Sequence, residues 1–198
     1  MAEAYLSCNE RYKQLGVIGG AVAVAAVLRL DPTGEDGAGA RGGDIYCANV
    51  GDARAVLCRD GKGVRLSRDF KPFDEDEYDR VVALGGFVSL RDGGRVCDDL
   101  ALTRALGDLH LAKFVEPRPH FRAERLDDFA QCPFFIIGCD GVWDVLTDQM
   151  AVDAVLSLAP HHYTKGAAAL RDLAFLHGST DNISAMVVDL SAIWPARV

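Results

Sequence analysis

Three aspartates stand where the hydrophobic runs of this chain begin or end. Asp140 follows "FFIIGC" at 134–139, Asp181 opens "TDNISAMVVDL" at 180–190, and Asp52 lies in "NVGDAR" at 49–54. A carboxylate at the end of a rigid strand is well placed to bind a hard cation, Mg²⁺ or Mn²⁺, because such ions favour oxygen ligands. Each acid also has a plainer reading. Asp140 can cap a helical turn beginning at "VWDVL", Asp181 can make an Asx turn, and Asp52 can be a turn residue. Paired antiparallel strands would set the end of one beside the start of the other, bringing Asp140 and Asp181 together. Two carboxylates within about 4 Å repel strongly unless protonated or bridged by a cation. Gly51, Gly141 and Asn182 adjoin the three acids and are read as supporting positions.

Other chemistries fit less well. No G-x-x-x-x-G-K-[ST] phosphate cradle is present, and no G-x-S-x-G nucleophile elbow. His110 and His120 have no metal-ligand spacing, and the adjacent His161 and His162 read as a surface loop. Trp143 reads as a core anchor. The six cysteines form no C-x-x-C pair. They are expected to be buried free thiols in a reducing compartment, with a disulfide scaffold or a zinc site as weaker readings.

A formal net charge of -8 argues against a broad nucleic-acid surface, which rewards basic footprints. Bound cations can still invert the local charge and let an acidic protein act on anions. The 198 residues suffice for one domain with a real core. The apolar run at 16–28 is too short to span a bilayer as a helix, and it follows a polar start unlike a signal peptide. The expectation is a protein without a membrane segment, cytoplasmic or nuclear.

The elements that must position the acids follow from patterning. Residues 2–14 read as a helix with an apolar stripe of Tyr5, Leu6 and Tyr12, and 20–29 as a buried strand. Residues 31–44 are a flexible internal loop by composition. "IYCANV" and "RAVLCR" read as a strand meander turning at "GD", and "RDGKG" as a hairpin turn. Asp74 can cap a helix carrying Tyr78, Val81 and Val82 on one face and stopped by Gly85 and Gly86. "FVSLRDGGRV" reads as a hairpin, "PHFRAERL" as a strand, and "FFIIGC" as a central strand. Thr147 can cap a helix over 148–158, a second helix covers 163–177, and "ISAMVVDL" closes the set as a strand. Strands in hairpins with helices gathered in a few segments predict a layered α+β sandwich over a parallel doubly wound sheet.

In this order the motifs resemble the metal-dependent PP2C, or PPM, family of protein serine/threonine phosphatases. The matching stretches are "YCANVGDARAVL", "LSRDFKP", "EYDRVVALGGFV", "LALTRALGD", "FFIIGCDGVWDVL" and "TDNISAMVVDL". The resemblance implies a single α-β-β-α sandwich domain over 1–198, built on two antiparallel sheets flanked by helices. It implies two Mg²⁺ or Mn²⁺ ions with a more labile third, and a bridging water that attacks phosphoserine or phosphothreonine. On that reading Asp140 and Asp181 are core metal ligands and Asp52 is associated with the third ion.

The departures set a second expectation. The family's Asp-Gly-His-Gly-Gly motif, its phosphate-binding arginine and an upstream acidic residue do not occur in these 198 residues. The resemblance therefore implies an N-terminally incomplete sandwich. "GGAVA" stands where Gly-Ser-Thr-Ala is usual, Ala53 where serine is common, and Phe70 where histidine is common. Two functions follow: a phosphatase domain that is inactive or strongly impaired as this chain, or a pseudophosphatase that binds a regulatory partner. A structural domain whose acids merely cap turns is the third reading. With sandwich strands absent, the apolar 20–29 strand is expected to pair with a second copy or to be covered by a rearranged N-terminus.

Overall fold

In the computed structural model, residues 1–16, 18–31, 42–127, 131–158 and 163–193 are described. The helices are α1 (Ala2–Leu15), α2 (Glu75–Ala83), α3 (Asp140–Trp143), α4 (Asp148–Leu156), α5 (Gly166–Leu176) and α6 (Leu190–Ile193). The strands are β1 (Gly20–Ala21), β2 (Ala23–Leu30), β3 (Gly43–Val50), β4 (Arg54–Arg59), β5 (Lys62–Arg65), β6 (Val88–Ser89), β7 (Arg95–Val96), β8 (Leu106–Gly107), β9 (His120–Leu126), β10 (Phe134–Gly138) and β11 (Ala185–Asp189). They form sheets in the orders β11-β10-β4-β5, β2-β3-β9, β1-β8 and β6-β7. The pairings β10–β11, β10–β4, β4–β5, β1–β8 and β6–β7 are antiparallel, as the α+β reading requires. Most of the 31–44 loop, and His161 and His162, lie outside the described residues.

The chain divides into two compact units. The first comprises residues 1–25, 48–53 and 68–121. Here α1 docks through Tyr5 and Asn9, four apart and so on one face. The Tyr5 hydroxyl donates to the Ala48 carbonyl at 2.8 Å, and Asn9 Oδ1 accepts from the Gly107 N–H at 2.8 Å. The expected stripe is therefore corrected: Leu6 is exposed, and a polar residue takes its place because it satisfies a buried backbone donor. A second small core joins Val81, Val96, Ala105, Leu111 and Val115. On α2 the buried residues are Glu77 and Val81, while Tyr78 and Val82 are exposed. Asp74 stands at the N-cap of α2 without a side-chain capping bond, since its carboxylate turns back to accept the Lys71 N–H at 3.1 Å.

The second unit comprises residues 26–47, 54–67 and 122–198. Its core packs Val56 and Cys58 of β4 and Phe134 and Ile136 of β10 against Val142, Trp143, Leu146, Val152, Val155 and Leu170. Those positions alternate along the strands and recur at helical spacing along α4 and α5, so both periods meet in one apolar layer. Thr147 caps α4 as expected, its Oγ1 accepting the Met150 N–H at 3.2 Å. Cys47, Cys58 and Cys132 are buried free thiols. Burial pushes Cys47 and Cys58 up to about 11, so both stay protonated at neutral pH.

Two expectations about strands are overturned. β3 and β4 do not form a meander: they belong to different sheets, and the chain leaves β3 through Gly51 at φ 88°, a conformation suited to glycine. The 20–29 run is not a buried strand either. It breaks into β1 and β2, no residue of either is buried, and Val27 is 50% exposed. Among the described residues β2 is an edge strand, paired with β3 alone.

Candidate functional site

Asp140 and Asp181 both belong to the second unit, and the strand register explains where they lie. Gly138 of β10 pairs with Ala185 of β11. The residues after Gly138 and before Ala185 therefore emerge at the same end of the sheet. Past Gly138 the chain turns at once into α3, whose N-cap is Cys139 and whose first residue is Asp140. The reading of Asp140 as a cap is thus corrected by one position. Its Oδ1 accepts its neighbour's N–H, from Gly141, at 2.9 Å. Asp181 does the same in the facing loop, accepting the Asn182 N–H at 2.6 Å.

The two loops are in close contact. A methyl group placed on Gly141 would collide with the Asn182 carbonyl oxygen and would stand 3.4 Å from Asp181 Cβ. Ser179 Oγ donates to the Gly141 carbonyl at 2.7 Å, and the Cys139 N–H donates to the Ser184 carbonyl at 3.0 Å. Only a residue without a side chain lets these backbones meet, which gives Gly141 and Asn182 a structural part in the pairing. Trp143 fixes the other side of the turn. It is 5% exposed, its Nε1 donates to the Gly138 carbonyl at 3.0 Å, and the Arg54 guanidinium lies 5.0 Å from its ring centre. Arg54 is itself held at 2.8 Å by Asp148, which Arg65 also binds.

Asp52 belongs to the first unit and is 5% exposed. Asn49, fully buried, donates to the Gly51 carbonyl at 3.3 Å and to the Arg68 carbonyl at 2.6 Å, and accepts the Arg68 N–H at 3.0 Å. That side chain ties the Gly51–Asp52 turn to the segment at 68–71. Lys71 Nζ then reaches Asp52 Oδ2 at 2.5 Å. Phe70, at the position where the resemblance expects histidine, is buried, with the Arg104 guanidinium 4.0 Å from its ring centre.

Sequence reading missed Lys71 as the charge partner of Asp52, since 19 residues separate them and no local pattern links them. It also passed over Asp144. The Asp144 N–H bonds the Asp140 carbonyl at 2.8 Å, one helical turn on, and i, i+4 spacing places the two acids on one face. That spacing is visible in "CDGVWD". Among the described residues, no group of three or more His, Cys, Asp or Glu side chains is gathered so as to hold a metal ion. Asp140 and Asp181 supply the oxygen donors that Mg²⁺ or Mn²⁺ prefers, so the donor chemistry fits a hard cation.

Comparison with known proteins agrees with this reading of the folds and motifs. The protein phosphatase 2C family model matches residues 6–183. A probable protein phosphatase 2C 74 of rice, Oryza sativa subsp. japonica, is 38% identical over 189 residues, 94% of this chain and 44% of its own length. Protein phosphatase 2C homolog 1 of Schizosaccharomyces pombe is 46% identical over 147 residues, covering 74% of this chain and 41% of its own. Among solved structures, a C. elegans sex determining protein superposes with a TM-score of 0.78 at 24% identity, covering 94% of this chain and 44% of that one. A phosphatase from Toxoplasma gondii superposes at 0.75 with 24% identity, covering 94% of this chain and 72% of its own. The chain belongs to the protein phosphatase 2C family, and its fold is that family's mixed α/β sandwich. It spans less than half the length of these two curated relatives.

Proposed function

We propose that this chain is a single protein phosphatase 2C domain carrying part of a phosphoserine/phosphothreonine phosphatase site, and that by itself it turns over substrate very slowly. The observation that carries the proposal is the close packing of the Asp140 and Asp181 loops through Gly141. Asp140 and Asp181 would hold one weak Mg²⁺ or Mn²⁺ ion, with Asp52 associated with a further ion. A bound ion of this kind supplies charge stabilisation at phosphoryl oxygens and lowers the pKa of its water. The chain's own residues orient the carboxylates: Gly141 lets the loops meet and Trp143 holds the α3 turn. The motif that brings the family's bridging aspartate and candidate acid is absent from these 198 residues. A misplacement of about 1 Å costs roughly a hundredfold in rate.

A second reading, a pseudophosphatase that binds a regulatory protein, draws on Lys71. Its ammonium lies against Asp52 and would compete with any cation there. A partner of the chain under either reading is a protein, with a second copy paired along β2 as a homodimer. Location in cytoplasm or nucleus is part of the same proposal; no described helix is long and apolar enough to cross a membrane.

The test is calorimetric titration of the chain with Mn²⁺ beside Asp140→Asn, together with hydrolysis of p-nitrophenyl phosphate against an Asp140→Ala background. Weak Mn²⁺ binding lost in Asp140→Asn, with hydrolysis near background, is the expected result. Equal affinity in both chains removes Asp140 from the site. Robust turnover that vanishes in Asp140→Ala overturns the impaired reading.

A further inference from the structure

The ladder between β10 and β11 ends in an unusual way. Antiparallel pairing continues one step beyond Gly138–Ala185, where Cys139 faces Ser184, and the Cys139 N–H donates to the Ser184 carbonyl at 3.0 Å. A regular ladder would return the bond from the Ser184 N–H to the Cys139 carbonyl. That carbonyl is engaged elsewhere, because it accepts the Val142 N–H at 3.0 Å to open α3. The thiol fills the gap. Cys139 Sγ accepts the Ser184 N–H at 3.2 Å and donates to the Asn182 carbonyl at 3.1 Å. Cys139 sits at an N-cap position, but the first N–H groups of α3 already have partners: Asp140 Oδ1 accepts that of Gly141 and the Cys139 carbonyl that of Val142. Here the side chain makes no capping bond. It points its hydrogen bonding across to the next loop instead.

We propose that Cys139 is a positioning residue: its thiol replaces a lost strand hydrogen bond and thereby fixes the 182–184 backbone, with Asp181 at its start, against the loop of Asp140. The inference rests on the metal-site reading for its functional meaning, but the staple itself is independent of any metal. An unpaired donor at Ser184 and an unpaired acceptor at Asn182 would each have to find water, loosening the loop and spreading the distance between the two carboxylates. Buried Cys47 and Cys58, by contrast, sit within the strands β3 and β4 and do not touch this loop's bonds.

The experiment is native-state amide hydrogen exchange on the metal-free 198-residue chain, in unaltered form and as Cys139→Ala and Cys139→Ser. Cys139→Ala is expected to speed exchange at Ser184 by roughly five- to tenfold, the size of one net hydrogen bond, while Val56 in β4 exchanges as before. Cys139→Ser keeps one donor and one acceptor and is expected to recover most of the protection. Unchanged exchange at Ser184 in Cys139→Ala overturns the proposal. So does a loss in Cys139→Ser as large as in alanine, since side-chain volume and not hydrogen bonding would then set the loop. A parallel Mn²⁺ titration separates the two ideas: a chain that binds no Mn²⁺ defeats the metal reading and leaves the exchange result to judge the thiol. If Mn²⁺ binds, Cys139→Ala is expected to weaken it several-fold and Cys139→Ser to restore it.

Discussion

At the scale of single residues, the site region depends on what side chains leave out as much as on what they supply. Gly141 is the sharpest case. Its backbone lies so close to the Asn182 carbonyl that a β-carbon has no space, and the obstacle is backbone that cannot rotate away. Gly141→Ala is expected to cost about 2 kcal/mol, in the range of other overpacking changes. Urea denaturation measures that loss. The same variant is expected to weaken Mn²⁺ binding more than Gly61→Ala does, a change at a hairpin glycine that strains the backbone at φ 73° but whose added methyl meets only the end of Leu156. Equal effects on Mn²⁺ would show that loop spacing at 141 has no bearing on the ion. Asp52 illustrates the opposite logic. Its carboxylate is buried and already carries a cationic partner in Lys71, so its role turns on competition between an ammonium and a metal.

At the scale of elements, short helical turns do the positioning. α3 has only four residues, far too few to be stable alone. It persists because Val142 and Trp143 anchor it in the apolar layer and the Trp143 indole bonds the end of β10. Trp143→Phe keeps most of the buried area and removes one hydrogen bond and the better cation–π face. It is expected to cost about 1–2 kcal/mol by thermal or chemical unfolding. Thr147→Ala removes the capping oxygen of α4 and is expected to cost about 1 kcal/mol. Because Asp148 follows immediately and binds Arg54 and Arg65, fraying of α4 would be felt at Trp143 through Arg54. Near-ultraviolet circular dichroism of Thr147→Ala tests this: a changed tryptophan signal is expected, and an unchanged one would mean the Arg54 stack stands without the cap.

At the scale of the whole molecule, acid sensitivity and self-association follow from groups spread over the chain. Burial by itself raises Glu77, but the guanidinium groups of Arg104 and Arg80 outweigh it and hold the carboxyl below the ordinary glutamate value of 4.5. Burial likewise raises Asp148, and Arg65 and Arg54 bring it below 3.8. A folded pKa below the unfolded one means stability that is complete above the unfolded value and lost as pH falls through the folded one. Stability held by Glu77 is therefore lost as pH falls below about 4.5, and that held by Asp148 as it falls below about 3.8. Glu77→Gln is expected to lose about 3 kcal/mol at neutral pH, since it leaves two arginines beside a neutral amide, and to flatten the acid limb of stability against pH. An acid limb as steep as in the unaltered chain would exclude Glu77 as a source. Self-association is expected along β2, whose Val27 and Leu30 are exposed on a strand at a sheet edge among the described residues. Sedimentation velocity over a concentration series measures it, and Val27→Lys is expected to shift the chain toward monomer. A chain that stays monomeric at the highest concentration removes β2 as an interface.

What the sequence determined by itself is local or comes from the ordered series of motifs. The Thr147 cap, the hairpins at 59–63 and 87–96, the strand at 134–138 and the family membership all follow from short-range patterns, because turn chemistry and strand alternation act over a few residues. The acids were legible as residues at strand ends. Tertiary structure decided which neighbours they have. Lys71 reaches Asp52 across 19 residues, Cys139 bonds a loop 43 residues on, and neither pairing leaves a trace in spacing. The same holds for burial. "AVAAVLRL" reads as a buried strand by composition, yet cover depends on which elements lie beside it, and among the described residues β2 has one neighbouring strand. On α2, Glu77 displaces Tyr78 from the buried face because Arg80, one turn along the same helix, and Arg104, from a distant segment, neutralise it. A charge can be buried only when its partners arrive, and a sequence states the charge without stating the partners.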